Sequence, residues 1–259
     1  MKLKDKLWNW GHLAGSHNPI MKFDCKMDLT TFAKEYQVSN AFVISYAGNI
    51  QPPYDNLAEE LKSLREIKWS VLGDASTPLP ESPLGWTDDV IEIANKKQNI
   101  TGGMVDDFFS PERLEKYPPE ILKQMHEKLN NSQKNLDFWS VLYVSQLEED
   151  VKKHIECFDG VSFWAWVQED IDKIEEYVDK FFKLAEGKRK MLGIYLYDYG
   201  NEKPMAVDKF KRQLEYYVEL LKQGKIEGII FCSGCIGDMD LEANKFFKAY
   251  MQEHADDEI

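Results

Sequence analysis

The chain has 259 residues, with 32 Lys+Arg against 45 Asp+Glu and a formal charge of −13. Its 43% hydrophobic and 30% charged residues exclude disorder, and the acidic balance argues against a binder of phosphate backbones, which usually carries a basic stripe. No apolar run approaches the roughly 18 residues of a membrane-spanning helix, so neither nucleic acid nor membrane is an expected partner.

Met1-Lys2-Leu3-Lys4-Asp5-Lys6 carries the charge of a secretory leader without an apolar stretch behind it. A cytoplasmic location is expected, or a secreted one if a leader was removed. Aromatic residues are 13%, with seven Trp and twelve Tyr, so either the core or a binding cleft is rich in rings. Cys25, Cys157, Cys232 and Cys235 are too few for a disulfide scaffold and read as reduced thiols.

In chain order, short apolar runs alternate with longer amphipathic segments at a spacing of roughly 30 residues, the pattern of βα units in a parallel sheet. The spacing predicts strands over Leu7–His12, Ala41–Ala47, Lys68–Asp74, Ile100–Phe108, Leu136–Gln146, Gly160–Gln168, Lys190–Tyr199 and Glu227–Ser233. It predicts helices after each, over Leu29–Tyr36, Asn56–Glu66, Asp88–Lys97, Pro111–Asn130, Glu148–Cys157, Ile171–Glu186, Ala206–Gln223 and Leu241–His254. Thr87, Ser110 and Asp170 read as helix starts, the second because Pro111 follows it at the first helical position. This is the order and size of a single-domain (β/α)8 TIM barrel over residues 1–259. An open doubly wound sheet would carry G-x-G-x-x-G after its first strand, where this chain reads Gly11-His12-Leu13-Ala14-Gly15-Ser16.

A barrel places its chemistry at the C-terminal strand ends. His12, His17 and Asn18, Tyr46, Asp74, Asp106 and Asp107, Gln146, Gln168 and Glu169, Asp198 and Tyr199, and Ser233, Cys235 and Asp238 close the strands. Alternation adds a second filter. It turns Trp8, Trp10 and His12 to one face of the first strand, Ser162, Trp164, Trp166 and Gln168 to the axis in the sixth, and Gly193, Tyr195, Tyr197 and Tyr199 in the seventh. Trp8, Trp164 and Tyr195 lie low and read as core. Trp10, Trp166, Tyr197 and Tyr199 lie near the mouth and read as a platform for a sugar ring.

The most informative stretch is Gly102-Gly103-Met104-Val105-Asp106-Asp107-Phe108-Phe109. On a regular strand adjacent acids cannot both face the cavity, so one is expected to meet substrate and the other to orient it. The glycines would leave room for something bulky above. Glycoside hydrolysis needs two carboxyl groups, and the second is sought among Asp198, Glu169, Asp74 and Asp238. Rings flank Asp198, yet its parity is that of the helix-facing Leu196, and Glu169 reads equally well as a solvent-exposed residue before a helix cap.

The acid pair closing the fourth strand, the aromatic strand ends and Trp164-x-Trp166 resemble the barrels of glycoside hydrolases, including chitinase-type and α-galactosidase-type groups. The chitinase-type D-x-x-D-x-D-x-E run is absent, and no Glu stands where that group places its acid. The resemblance implies a class, a carbohydrate-binding and glycoside-hydrolysing barrel, and no detailed mechanism. Asp106 or Asp107 would then pair with Asp198 or Glu169. Trp10, Trp166, Tyr197 and Tyr199 would stack a small-molecule carbohydrate, and His12, His17, Asn18, Tyr46, Asp74 and Gln168 would surround it.

No cofactor is expected. The first strand lacks the H-x-H of metal-dependent amidohydrolases, and a metal set of His12, His17 and Asp106 or Asp107 would belong to a lyase or isomerase acting on a small sugar-like substrate. A carbohydrate-binding barrel without catalysis is the other alternative. Zinc at Cys232-Ser233-Gly234-Cys235 would need a second ligand pair.

Overall fold

The computed structural model describes the whole chain, Met1–Ile259. Eight parallel strands close a barrel: β1 (Leu7–Gly11), β2 (Asn40–Val43), β3 (Glu66–Ser70), β4 (Ile100–Val105), β5 (Asp137–Tyr143), β6 (Gly160–Trp164), β7 (Arg189–Tyr195) and β10 (Gly228–Cys232), with β10 pairing β1 to complete the ring. A two-residue ribbon, β8 (Tyr197–Asp198) with β9 (Lys203–Pro204), rises above β7. Helices surround the strands: α1 (Asn18–Met21), α2 (Leu29–Tyr36), α3 (Asp55–Glu60), α4 (Thr87–Lys96), α5 (Pro111–Lys116), α6 (Pro119–Asn130), α7 (Lys152–Ile155), α8 (Ile174–Leu184), α9 (Val207–Lys222) and α10 (Glu242–His254). The (β/α)8 architecture expected from the sequence is the one observed, and no helix is long and apolar enough to cross a membrane.

Two shells of side chains hold the barrel. Inside, Trp10 packs on Phe42 and Trp164 with ring centroids 5.2 and 5.1 Å apart, and Trp164 packs on Tyr195 at 5.1 Å, so the axis is filled by rings rather than aliphatic layers. Gly193 makes this filling fit, because a Cβ there would lie 2.1 Å from the Trp164 ring. Outside, Phe163 stacks on Phe181 of α8 at 4.9 Å and an interplanar angle of 10°. The odd and even positions of β6 therefore serve opposite layers, as alternation requires.

Several elements end earlier than predicted. β6 stops at Trp164 and β7 at Tyr195, so Trp166 and Tyr199 stand on loops and Gln168 opens a 3-10 turn. The predicted helix over Pro111–Asn130 is two helices, interrupted where Pro118-Pro119 removes backbone donors and restricts the residue before each proline. Asp170 caps no α-helix: residues Gln168–Lys173 form a 3-10 turn, and α8 begins at Ile174. Asp28 does cap α2, its carboxylate accepting from the Thr30 and Thr31 amides, and Ser110 caps α5. Gly102 serves the closed end of the barrel, since a Cβ there would strike the Asp137 side chain and Lys68. The room it provides holds an ion pair at the floor, which corrects the expectation of a bulky group above it.

Candidate active site

A cavity of about 540 Å³ opens at the C-terminal strand ends. Trp10, Tyr143, Tyr195 and Cys232 contribute its strand-borne walls, and His12, His17, Tyr46, Trp166 and Tyr199 surround its mouth. Trp166 is 45% exposed and lies nearly parallel to Tyr199, with centroids 6.0 Å apart, which leaves a large ring available to a ligand.

Asp74, Asp106, Asp107 and Asp170 are the carboxylates that line this space. Both members of the adjacent pair do so, contrary to the expectation that only one would. β4 ends at Val105, and Asp107 adopts a left-handed backbone with φ 47°, a conformation that Asp tolerates better than most residues. The strict alternation of a strand no longer applies there. Asp106 accepts a hydrogen bond from the Asp107 amide at 2.8 Å. Asp107 accepts from the Tyr143 hydroxyl at 2.7 Å and the Ala75 amide at 3.2 Å. Asp74 is braced by the Thr77 and Ser76 hydroxyls, each at 2.7 Å.

Burial, reinforced by the neighbouring Asp107 and Asp74 carboxylates, holds the Asp106 carboxyl well above the usual carboxylate range. Burial and Glu169 also raise Asp170. Arg113, 3% exposed, stands beneath the acids without pairing with a carboxylate: its guanidinium donates to the carbonyls of Gly73, Asp74 and Asp106. It ties the ends of β3 and β4 into one rigid platform.

The predicted residues separate into two groups. Trp10, His12, His17, Tyr46, Asp74, Asp106, Asp107, Trp166 and Tyr199 come together around the cavity. Asn18, Glu169, Gln168, Tyr197 and Asp198 do not line it. Asn18 closes a loop through both the amide and carbonyl of Cys25. Asp198 is fully buried with its carboxylate on the Asn201 amide and side chain, Glu169 binds Asn201 and Lys203 at the surface, and Gln168 accepts from the Ala206 amide. Tyr197 is held in the small ribbon. Asp238 accepts from the Lys26 amide.

Sequence reasoning missed Tyr143, Arg113 and Asp170. Arg113 follows the acid pair in the first turn of the next helix, a placement that could have marked it. Tyr143 left no such trace, because it closes a strand whose predicted end ran on to Gln146. His12 and His17 also meet in the structure, with ring centroids 4.3 Å apart, and Cys235, not Asp106 or Asp107, is the third donor beside them. Burial lowers His17 to about 4 and lowers His12 as well, so both imidazoles are neutral at pH 7.

No family model and no curated protein sequence matches the chain. Solved structures match along the whole fold. A family 18 chitinase from Crocus vernus is 11% identical, with 96% of this chain and 97% of that chain covered and a TM-score of 0.57. A xylanase and α-amylase inhibitor protein solved with trehalose is 10% identical over 96% and 98% of the two chains, with a TM-score of 0.61. A chain of the tryptophan synthase complex of Pyrococcus furiosus is 12% identical over 98% of each, with a TM-score of 0.53. The fold is thus a TIM barrel, an architecture that carries many chemistries.

Proposed function

We propose that the mouth binds a carbohydrate or glycoside and hydrolyses it, with Asp106 as proton donor and Asp107 as its partner carboxylate. The observation that carries this reading is Asp106 itself: a buried carboxyl, raised in pKa among like charges, on the wall of a ring-lined cavity. The Asp106 proton passes to the glycosidic oxygen as the bond from the anomeric carbon to that oxygen breaks. Water adds to the anomeric carbon, and its proton passes to Asp107, giving the free sugar and the alcohol. Tyr143 and the Ala75 amide hold Asp107 in place. Trp166 and Tyr199 offer apolar faces to the sugar ring. Asp74 and Asp170 replace Asp198 and Glu169 as further carboxylates facing the ligand.

A panel of aryl glycosides tests the proposal. Aglycone release by the wild type, lost by about 10²-fold or more in both D106N and D107N, is the expected result. The second reading, a carbohydrate-binding barrel without catalysis, draws on the engagement of Asp198 and Glu169 away from the cavity. Sugar-dependent quenching of tryptophan fluorescence with no aglycone release from any substrate would favour that reading.

A further inference from the structure

The Cys232-Ser233-Gly234-Cys235 run has no part in the hydrolytic reading, and zinc there requires a second pair of ligands. The loop after β1 supplies such a pair. His12, His17 and Cys235 are all buried, and one donor atom from each lies within 4.8 Å of the other two. We infer that these three side chains bind one divalent transition-metal ion, of the zinc class, in the wall of the mouth. Two imidazoles and one thiolate are donors that zinc and its neighbours in the first transition row accept, and that calcium and magnesium do not.

The surroundings of the rings support the assignment. Nδ1 of His12 lies 2.9 Å from the Ser233 hydroxyl, and Nδ1 of His17 lies 2.9 Å from the Tyr199 hydroxyl. Each Nε2 is left without a hydrogen-bond partner from the protein. Ligation through Nε2 would leave each ring oriented as metal-bound imidazoles are, by a hydrogen bond at the other nitrogen. Ser233 Oγ also lies 3.4 Å from Cys235 Sγ, so one hydroxyl braces two of the three donors. Nitrogen and sulfur donors on one tetrahedral zinc stand roughly 3.3–3.6 Å apart, given bonds of about 2.0 and 2.3 Å. The trio would therefore draw in by at most about 1.5 Å on binding.

His12 and His17 line the cavity while Cys235 sits behind them, so three protein ligands would leave one position open to ligand. Sites of that kind are catalytic rather than structural. The open position shares the mouth with Asp106 and Asp107, and a hydroxyl or carbonyl oxygen of a sugar-like molecule is the group it would meet. Loss of the thiol proton on binding leaves one net positive charge, which the Asp74 carboxylate near His17 offsets.

The test is a titration of chelator-treated protein with Co²⁺ alone, followed by displacement with Zn²⁺. One Co²⁺ per chain is expected, with the visible bands of a tetrahedral ion and a sulfur-to-cobalt charge-transfer band in the near ultraviolet. C235S should lose that band. Y199F and S233A keep all three ligands and should weaken binding by roughly 10–100-fold, which covers the case in which C235S fails to fold. H126N alters a histidine bound to Asp159 outside the mouth and should bind like the wild type. No uptake, uptake without the sulfur band, or equal loss in H126N would each overturn the site. The titration contains no glycoside, so its failure and the failure of the hydrolytic reading are separate results.

Discussion

At the closed end of the barrel the Lys68 ammonium is 2% exposed and lies 2.8 Å from Asp137 and 3.1 Å from Glu66, with Arg189 completing the group at 2.6 Å from Asp137. At the open end Asp106 is 4% exposed, the charged groups that act on it most strongly are the carboxylates of Asp107 and Asp74, and Arg113 meets backbone carbonyls instead. Both ends bury charge. The floor matches each ion with its opposite, which holds strands together. The mouth gathers like charges, which raises a pKa and leaves a proton available. A buried pair of opposite charges is costly to break from one side, and like charges over a cavity serve chemistry at some expense of stability.

Substitutions at the two ends should separate these roles. The largest effect is expected at the mouth, where D106N and D107N each lower glycoside hydrolysis by about 10²–10⁴-fold while the near-ultraviolet circular dichroism of the aromatic barrel is retained. At the floor, K68M should lower stability by about 3 kcal/mol in urea denaturation, because Asp137 is left with Arg189 alone, while turnover stays as in the wild type. A large activity loss in K68M would break the distinction.

The stability of D106N sharpens the comparison further. A carboxyl whose pKa is raised in the folded state contributes its full stability below the unfolded value near 3.8, and loses it as pH rises through the folded value. D106N has no such dependence. Its melting temperature should therefore exceed that of the wild type at about pH 7, with the gain shrinking toward about pH 4. A gain that stays constant with pH would contradict the role of burial.

Smaller effects are expected beside the pair. Y143F removes one hydrogen bond to Asp107 and should reduce kcat/KM about fivefold, the equivalent of about 1 kcal/mol. D198N keeps an acceptor for Asn201 and should change activity by less than about twofold. A loss there as large as in D107N would return Asp198 to the reaction.

Much of the barrel was legible because strand and helix periods are local properties of the chain. The outward Phe163 and inward Trp164 follow from alternation alone, and the acid pair stands out by its position after an apolar run. What failed lay just beyond the strands. Gln168 and Asp107 sit where the ladder has ended, and parity no longer tells which way a side chain points. Asp198 and Glu169 could not be told from Asp74 and Asp170 by residue type. Their hydrogen-bond partners Asn201 and Lys203 decide the matter through loop geometry.

By itself, the sequence determined the (β/α)8 order, the acid pair that follows the fourth strand, and the abundance of rings. Those depend on periodicity and composition. Only the tertiary structure decided that His12 and His17 meet Cys235 from the far end of the chain, that Arg113 locks β3 to β4, and that both Asp106 and Asp107 reach one cavity. Closure of the ring brings β1 beside β10, and no local pattern encodes which loops then face each other.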